Sequence, residues 1–283
     1  MRPLWGYRVS GEFSDKAKGK LQAAADFVFS LVTFDLPCLM AKPQQIELPD
    51  GTDIPILYDD RAVMAIDKPP GWMLAPESWE RTGRNLQLAL MSSMRFGDFW
   101  ARSRNLKFLR FVHRLDADTS GVLLLAKSPG ALSAFSRLFE SRQMEKVYWA
   151  VVHGVPKQKE WSCELKIAPD PSQKGRMKID ARHGKPAETQ FRVLNVKENS
   201  ALLEAKPLTG RTHQIRIHLQ AAGHPVVNDS IYKRHEDRLT RHSSRAAPPL
   251  ALRAIFLSYR DPFSGRPIRI EAPTACFARD FGF

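Results

Sequence analysis

Cysteine is scarce in this chain: Cys38, Cys163 and Cys276 are the only three in 283 residues. An odd number, set far apart, makes neither a disulfide framework nor a zinc ribbon, and it fits a reduced compartment. Long apolar runs are also missing. The most apolar early stretch, Phe27 to Phe34, is hemmed in by Asp26, Asp35 and Pro37. It is too short to span a bilayer and lies too far in for a standard signal peptide. The expectation is a soluble cytoplasmic protein with no membrane contact. No internal repeat or heptad run is found, which removes solenoids and coiled coils. Negative charge is in deficit, with Asp+Glu 30 against Lys+Arg 43 and a formal net charge of +13. An excess of that size favours a polyanionic partner, most often nucleic acid, over simple solubility charge.

What is present is ordinary globular material: 43% hydrophobic and 26% charged residues. The length allows one large domain or two small ones, with a core that needs no staples. Residues 1–50 read as a helical extension. Ser14 is placed to cap a helix whose Leu21, Ala24, Ala25, Val28, Leu31 and Val32 share one face, ended by Pro37 and Pro43. Residues 51–283 read as the main domain. Ile56 to Asp67 is patterned as two short strands about an Asp59-Asp60 turn. Asn85 to Met94 is patterned as an amphipathic helix with Leu86, Ala89, Leu90 and Met94 on one side. From Arg95 to Arg110, basic residues alternate with Phe96, Phe99, Trp100 and Phe108. Such a segment either stacks on bases and neutralises phosphates or simply seats its aromatics in the core.

The stretch that organises the chain is His113-Arg114-Leu115-Asp116-Ala117-Asp118-Thr119-Ser120-Gly121, followed by the apolar Val122 to Ala126. The apolar run has the length of a buried strand, and Ser128-Pro129 opens a helix in cap-then-proline order. A polar loop pinned by a core strand is either a satisfied turn or a site for catalytic groups. Glu145 to Gly154 is strand-like, with Tyr148 on the face of Ala150 and Val152. Residues 157–185 are basic and turn-rich. Arg211 to Leu219 reads as a helix running to Gly223, with Ile215, Leu219 and Ala222 buried and His213, Arg216 and Gln220 on a neighbouring face. Arg234 to Arg245 is a basic, turn-prone loop.

Three of these stretches resemble one family. HRLDADTSG at 113–121, KVYWAVVHG at 146–154 and GRTHQIRIHL at 210–219 resemble, in order, the motifs of the RluA-like RNA pseudouridine synthases. DKPPG at 67–71 resembles a fourth. The resemblance covers roughly Ile56 to Ala272. It implies an α+β fold: a mixed, mainly antiparallel sheet flanked by helices, with an active cleft across its middle. It implies Asp116 as the essential carboxylate, Tyr148 as the ring against the uracil, and Arg216 as the arginine paired with Asp116, with Arg211 as the alternative. Arg114 resembles the residue that fills the gap left by a flipped base. Arg211 and His213 fall in the same element and are expected to meet RNA. No S4-type RNA-binding domain is recognisable in the first 50 residues.

Breaking N1–C1′ and rejoining the base through C5 involves no redox step, so the expectation is no cofactor and no metal. The carboxylate must stay charged, and a guanidinium within about 4–6 Å favours that form. It either attacks C1′ or removes the C2′ proton. The implied partner is structured RNA, ribosomal or transfer, bound by a monomer. The wording departs from the family at Asn228-Asp229, where relatives carry glycine-aspartate, and at Arg253, where relatives carry histidine. Two other readings compete. One is a metal-dependent phosphoesterase built from His113, Asp116, Asp118, His213 and His218. The other is a catalytically silent RNA-binding or ribosome-assembly factor.

Overall fold

The computed structural model describes residues 42–48, 50–74, 84–232 and 248–283. The expected Ser14 helix and the Arg234–Arg245 loop lie outside the described residues. Eleven of the described strands form one sheet, which begins at β1 (Gln45–Glu47) and β2 (Asp53–Asp59). The sheet therefore starts inside the segment that reads as a helical extension to residue 50. The order continues through β3 (Val63–Lys68), β5 (Ser120–Ala126), β12 (Leu252–Arg260), β6 (Glu145–His153), β11 (Ser200–Pro207), β10 (Thr189–Lys197) and β7 (Glu160–Cys163). The short β4 (Arg110–Phe111) pairs with β5, and β13 (Pro267–Glu271) pairs with β12. A separate hairpin is made by β8 (Ile167–Pro169) and β9 (Met177–Ile179).

The pairings are antiparallel except one. β5 and β12 run parallel and meet over Arg253–Ser120 and Ala254–Gly121. This seam joins the two halves of the sheet. Only glycine fits there: Gly121 has φ +107°, and a Cβ would sit 2.0 Å from the Ala254 carbonyl oxygen.

β5 is buried along its whole length, as its unbroken apolar run predicts. Alternation sends Leu123 and Leu125 to one face, where they meet Ile54, Ile66, Trp100 and helix α1 (Leu86–Phe96). Val122 and Leu124 go to the other, against helix α3 (Pro129–Glu140) and its Phe135. The caps follow the sequence signals. The Asn85 side chain accepts from the Leu88 N–H at 3.2 Å, and Ser128 accepts from Ala131 at 3.1 Å with Pro129 in the first turn. In the Arg95–Arg110 segment, both sequence readings hold in part. Trp100 of α2 (Phe99–Arg102) is core, whereas Phe96 and Phe99 are exposed.

The second half of the sheet packs on helix α4 (Gln214–Ala221) through Phe191, Leu203, Ile215, Leu219 and Leu252. This helix starts three residues later than the sequence pattern predicts. His213 takes a left-handed conformation, φ 56°, and cannot be a helical residue. Gln214 to Leu219 are all buried, because the β8–β9 hairpin covers the side away from the sheet, while Ala222 is exposed rather than core. A short α5 (Ala275–Asp280) ends the chain's regular structure.

Candidate active site

The loop before β5 is pinned from below. Lys68, at the end of β3, is fully buried, and its Nζ donates to the carbonyls of Ala117 at 2.6 Å, Thr119 at 2.9 Å and Pro69 at 3.0 Å. The Gly71 N–H also donates to Ala117 O at 2.9 Å. Burial pushes the Lys68 ammonium down to about 7, against the opposing pull of Asp118 and Asp116. His113 closes the other end. Its Nε2 accepts from the Leu124 N–H at 3.0 Å and its ring stacks on Phe139. Burial holds it neutral, down to about 3. These bonds fix the backbone on either side of Asp116.

Asp116 presents its carboxylate to α4. Arg216 Nη1 donates to Asp116 Oδ2 at 3.1 Å. The rest of the guanidinium is held by Asp229, with Nε to Oδ2 at 2.7 Å and Nη2 to Oδ1 at 2.8 Å. Asp229 in turn accepts the N–H groups of Ile231 and Tyr232, both at 2.9 Å. Burial alone would lower the Arg216 pKa. The bonds and charge of Asp229, then the charge of Asp116, outweigh it and hold the group above its ordinary value. Burial likewise opposes ionisation of Asp229, and Arg216 overcomes it, so that carboxyl lies below the usual range. The arrangement is a buried carboxylate–guanidinium clamp that aims one remaining N–H at a second, more open carboxylate.

Tyr232 stands under this clamp. Its ring lies 5.3 Å from the Arg216 guanidinium, and its hydroxyl bonds His213 Nδ1 at 3.0 Å and the Met177 N–H at 3.0 Å. His213 Nε2 reaches within 3.8 Å of Asp116 Oδ2. Burial lowers the His213 pKa despite Asp116, so the ring is neutral near pH 7. Tyr148 enters from β6, where it pairs with Ala254 on one side and Ala205 on the other. Burial, then the charge of Asp116, raises its phenol above the ordinary value. Under one molecule in about a thousand is then phenolate at pH 7.

A cleft of about 480 Å³ brings together all six sequence-derived residues: Asp116, Tyr148, Arg216, Arg114, Arg211 and His213. Arg114 is exposed at its wall. Arg211 donates through Nε to Pro186 O at 3.0 Å and makes no bond to Asp116; Arg216 does. Of the other residues of the phosphoesterase reading, His113 lines the cleft with its Nε2 taken up by the Leu124 N–H. His218 is buried between Thr189 Oγ1 and Leu165 O, each at 3.0 Å. Among the described residues no group of three or more His, Cys, Asp or Glu could hold a metal ion.

Comparison with known proteins gives the family and the fold. Residues 62–221 match the family described as RNA pseudouridylate synthase. The chain belongs to the RNA pseudouridylate synthase family. Its relatives place it on the RluA-like branch. It is 35% identical over 225 residues to ribosomal large subunit pseudouridine synthase C of Escherichia coli (strain K12), covering 77% of this chain and 66% of that protein. The protein of the same name from Vibrio vulnificus (strain CMCP6) is 33% identical over 223 residues, covering 77% and 65%. The chain thus spans just under two thirds of the length of these curated relatives. Among solved structures, human RNA pseudouridylate synthase domain containing 1 superposes with a TM-score of 0.60 at 27% identity, covering 78% of this chain and 83% of that one. Human RNA pseudouridylate synthase domain containing 4 gives 0.60 at 25% identity, covering 77% and 87%. The α+β fold, with its mainly antiparallel sheet, is that of the pseudouridylate synthase domains.

Two departures from family wording have physical readings. Asn228 takes φ 61°, the left-handed conformation that glycine adopts freely and asparagine tolerates, so Asp229 still reaches Arg216. Arg253 donates to Asp67 Oδ2 at 2.6 Å and to Pro273 O at 3.0 Å, tying β12 to the end of β3. Sequence reasoning missed Asp229, Tyr232 and Lys68 as members of the site. The only signal for them was proximity to motifs: Lys68 sits inside DKPPG, and Asp229 beside the unusual Asn228.

Proposed function

We propose that this protein isomerises uridine to pseudouridine within structured RNA, without cofactor or metal, as a cytoplasmic monomer. The names of its relatives favour large-subunit ribosomal RNA over transfer RNA. The observation that carries the reading is the Asp229–Arg216–Asp116 chain, which delivers a fixed guanidinium to one carboxylate in a basic cleft.

In this reading the target uridine is flipped out of its stack, and Arg114 occupies the vacated space. The ribose comes to rest over Asp116. Arg216 keeps that carboxylate oriented as it attacks C1′ or takes the C2′ proton. Tyr148, a neutral phenol, lies flat against the uracil as the freed base turns to present C5. Its raised pKa argues against a phenolate base for the C5 proton and favours a stacking and hydrogen-bonding role. His213 and Arg211 hold RNA at the cleft margin.

The test is tritium release from RNA carrying [5-³H]uridine, prepared from a host lacking this protein. Wild type is expected to release label, and Asp116→Asn to release none. Arg216→Lys is expected to lose turnover more than RNA binding, because an ammonium cannot bridge two carboxylates in fork geometry. Binding without release by the wild type would sink the isomerase reading and leave a silent RNA-binding protein.

A further inference from the structure

The cleft contains two cations that the chemistry at Asp116 does not use. Lys146 and Tyr148 are alternate residues of β6 and share a face, so Lys146 lies about 7 Å along the strand from Tyr148. Both side chains line the cleft. Lys146 is half-buried, and its Nζ has one long contact, to Thr209 O at 3.3 Å. The adjacent carboxylate, Glu145, faces the other way and pairs with Lys206 at 3.4 Å. Arg142 lines the same wall from the turn after α3, held in a left-handed conformation with φ 59°. Among the described residues neither Lys146 nor Arg142 makes an ion pair, although Glu140 lines the cleft beside them.

Lys146 is half-buried and Arg142 exposed, so two like charges share one cleft wall without an ion-pair partner among the described residues, and both would favour an arriving anion. We propose that Lys146 and Arg142 form a phosphodiester subsite that grips the RNA backbone beside the flipped uridine. The placement rests on the uridine-isomerase reading, which puts the ribose over Asp116 and the base on Tyr148. The subsite then lies roughly one strand repeat from Tyr148, within reach of a phosphate flanking the nucleotide stacked there. Burial, then repulsion by Arg142, brings the Lys146 ammonium down to about 8. A bound phosphate would offset that repulsion, and no ion pair among the described residues competes for the two cations. A free phosphate offers the same charge, but the open cleft and the cations on both walls fit a polymer.

The experiment is fluorescence anisotropy with a labelled 20-nucleotide stem-loop bearing uridines in its loop, titrated over a range of NaCl. Each lost phosphate contact makes the slope of log K against log salt shallower by about 0.7 for single strands. Lys146→Met and Arg142→Met are each expected to show that change, and the double variant about twice as much. Lys146→Arg and Arg142→Lys, which keep the charge, are expected to retain the wild-type slope. Replacing loop phosphates one at a time by uncharged methylphosphonate should reveal one position at which Lys146→Met no longer matters. Wild-type slopes in both methionine variants, with folding verified by circular dichroism, would overturn the proposal. So would the absence of any such methylphosphonate position, or competition by free phosphate as strong as by RNA. A shallower slope with no tritium release from wild type would support the subsite and retire the isomerase reading alone.

Discussion

Arg216 is 2% exposed and holds one carboxylate with two bonds and another with one. Removing its anchor therefore differs from removing its target. Asp229→Asn leaves a buried guanidinium short of one negative charge, which should cost about 3 kcal/mol in urea unfolding. The native Asp229 carboxyl lies below its ordinary value of 3.8, so its stabilising charge is present above that pH and is lost as pH falls through the lower, folded-state value. The stability gap between wild type and Asp229→Asn should close below that pH. Lys68 has the opposite sign. The unfolded chain keeps that proton to 10.5, whereas the folded protein releases it near 7. Wild-type stability should accordingly rise between pH 7 and 9 by on the order of 1 kcal/mol per pH unit relative to Lys68→Met, read from urea midpoints. Asn228→Gly should be neutral to within about 1 kcal/mol. Asn228→Val should lose more than that in the same assay, since a β-branched side chain resists φ > 0. Asp116, Tyr148 and Arg216 were legible in the sequence because each lies in a contiguous, chemically mixed motif. Asp229, Tyr232 and Lys68 were not, because their roles exist only across gaps of 13 to about 50 residues that folding closes.

At the scale of elements, the strands and the capped helices followed their patterns, since alternation and cap chemistry are local. The start of α4 did not. A polar network sets it: Gln214 Oε1 accepts from Thr209 Oγ1 at 2.7 Å and from the Arg211 N–H at 2.9 Å, while its amide donates to Glu188 O at 2.8 Å. Those partners sit in the turn after β11 and just before β10, and the periodicity of α4 carries no trace of them. The seam between β5 and β12 is equally non-local. Gly121→Ala would drive a methyl into the Ala254 carbonyl at a backbone angle alanine resists. It should cost at least about 3 kcal/mol, visible as a lowered urea midpoint, and should reduce tritium release further because the seam begins four residues after Asp116.

At the scale of the whole molecule, the charge of +13 has a direction as well as a size. Arg114, Arg142, Lys146 and Arg211 all line the one cleft that holds Asp116. Association with RNA should therefore be strongly salt-sensitive, with a log–log slope of about −3 or steeper in the anisotropy assay. A slope near −1 would mean that the excess charge serves solubility instead.

The parallel seam also has a consequence in time. Gly121 pairs with Ala254, from a strand made about 130 residues later. At roughly 5–20 residues per second, the half carrying Asp116 waits on the order of ten seconds on the ribosome before its partner strand emerges. Through that interval Ser120 and Gly121 offer an open strand edge beside a loop rich in charge, and a chain cut short before β12 keeps that edge for good. Competence at this site is thus conferred late in synthesis, by the closing of the longest loop in the sheet.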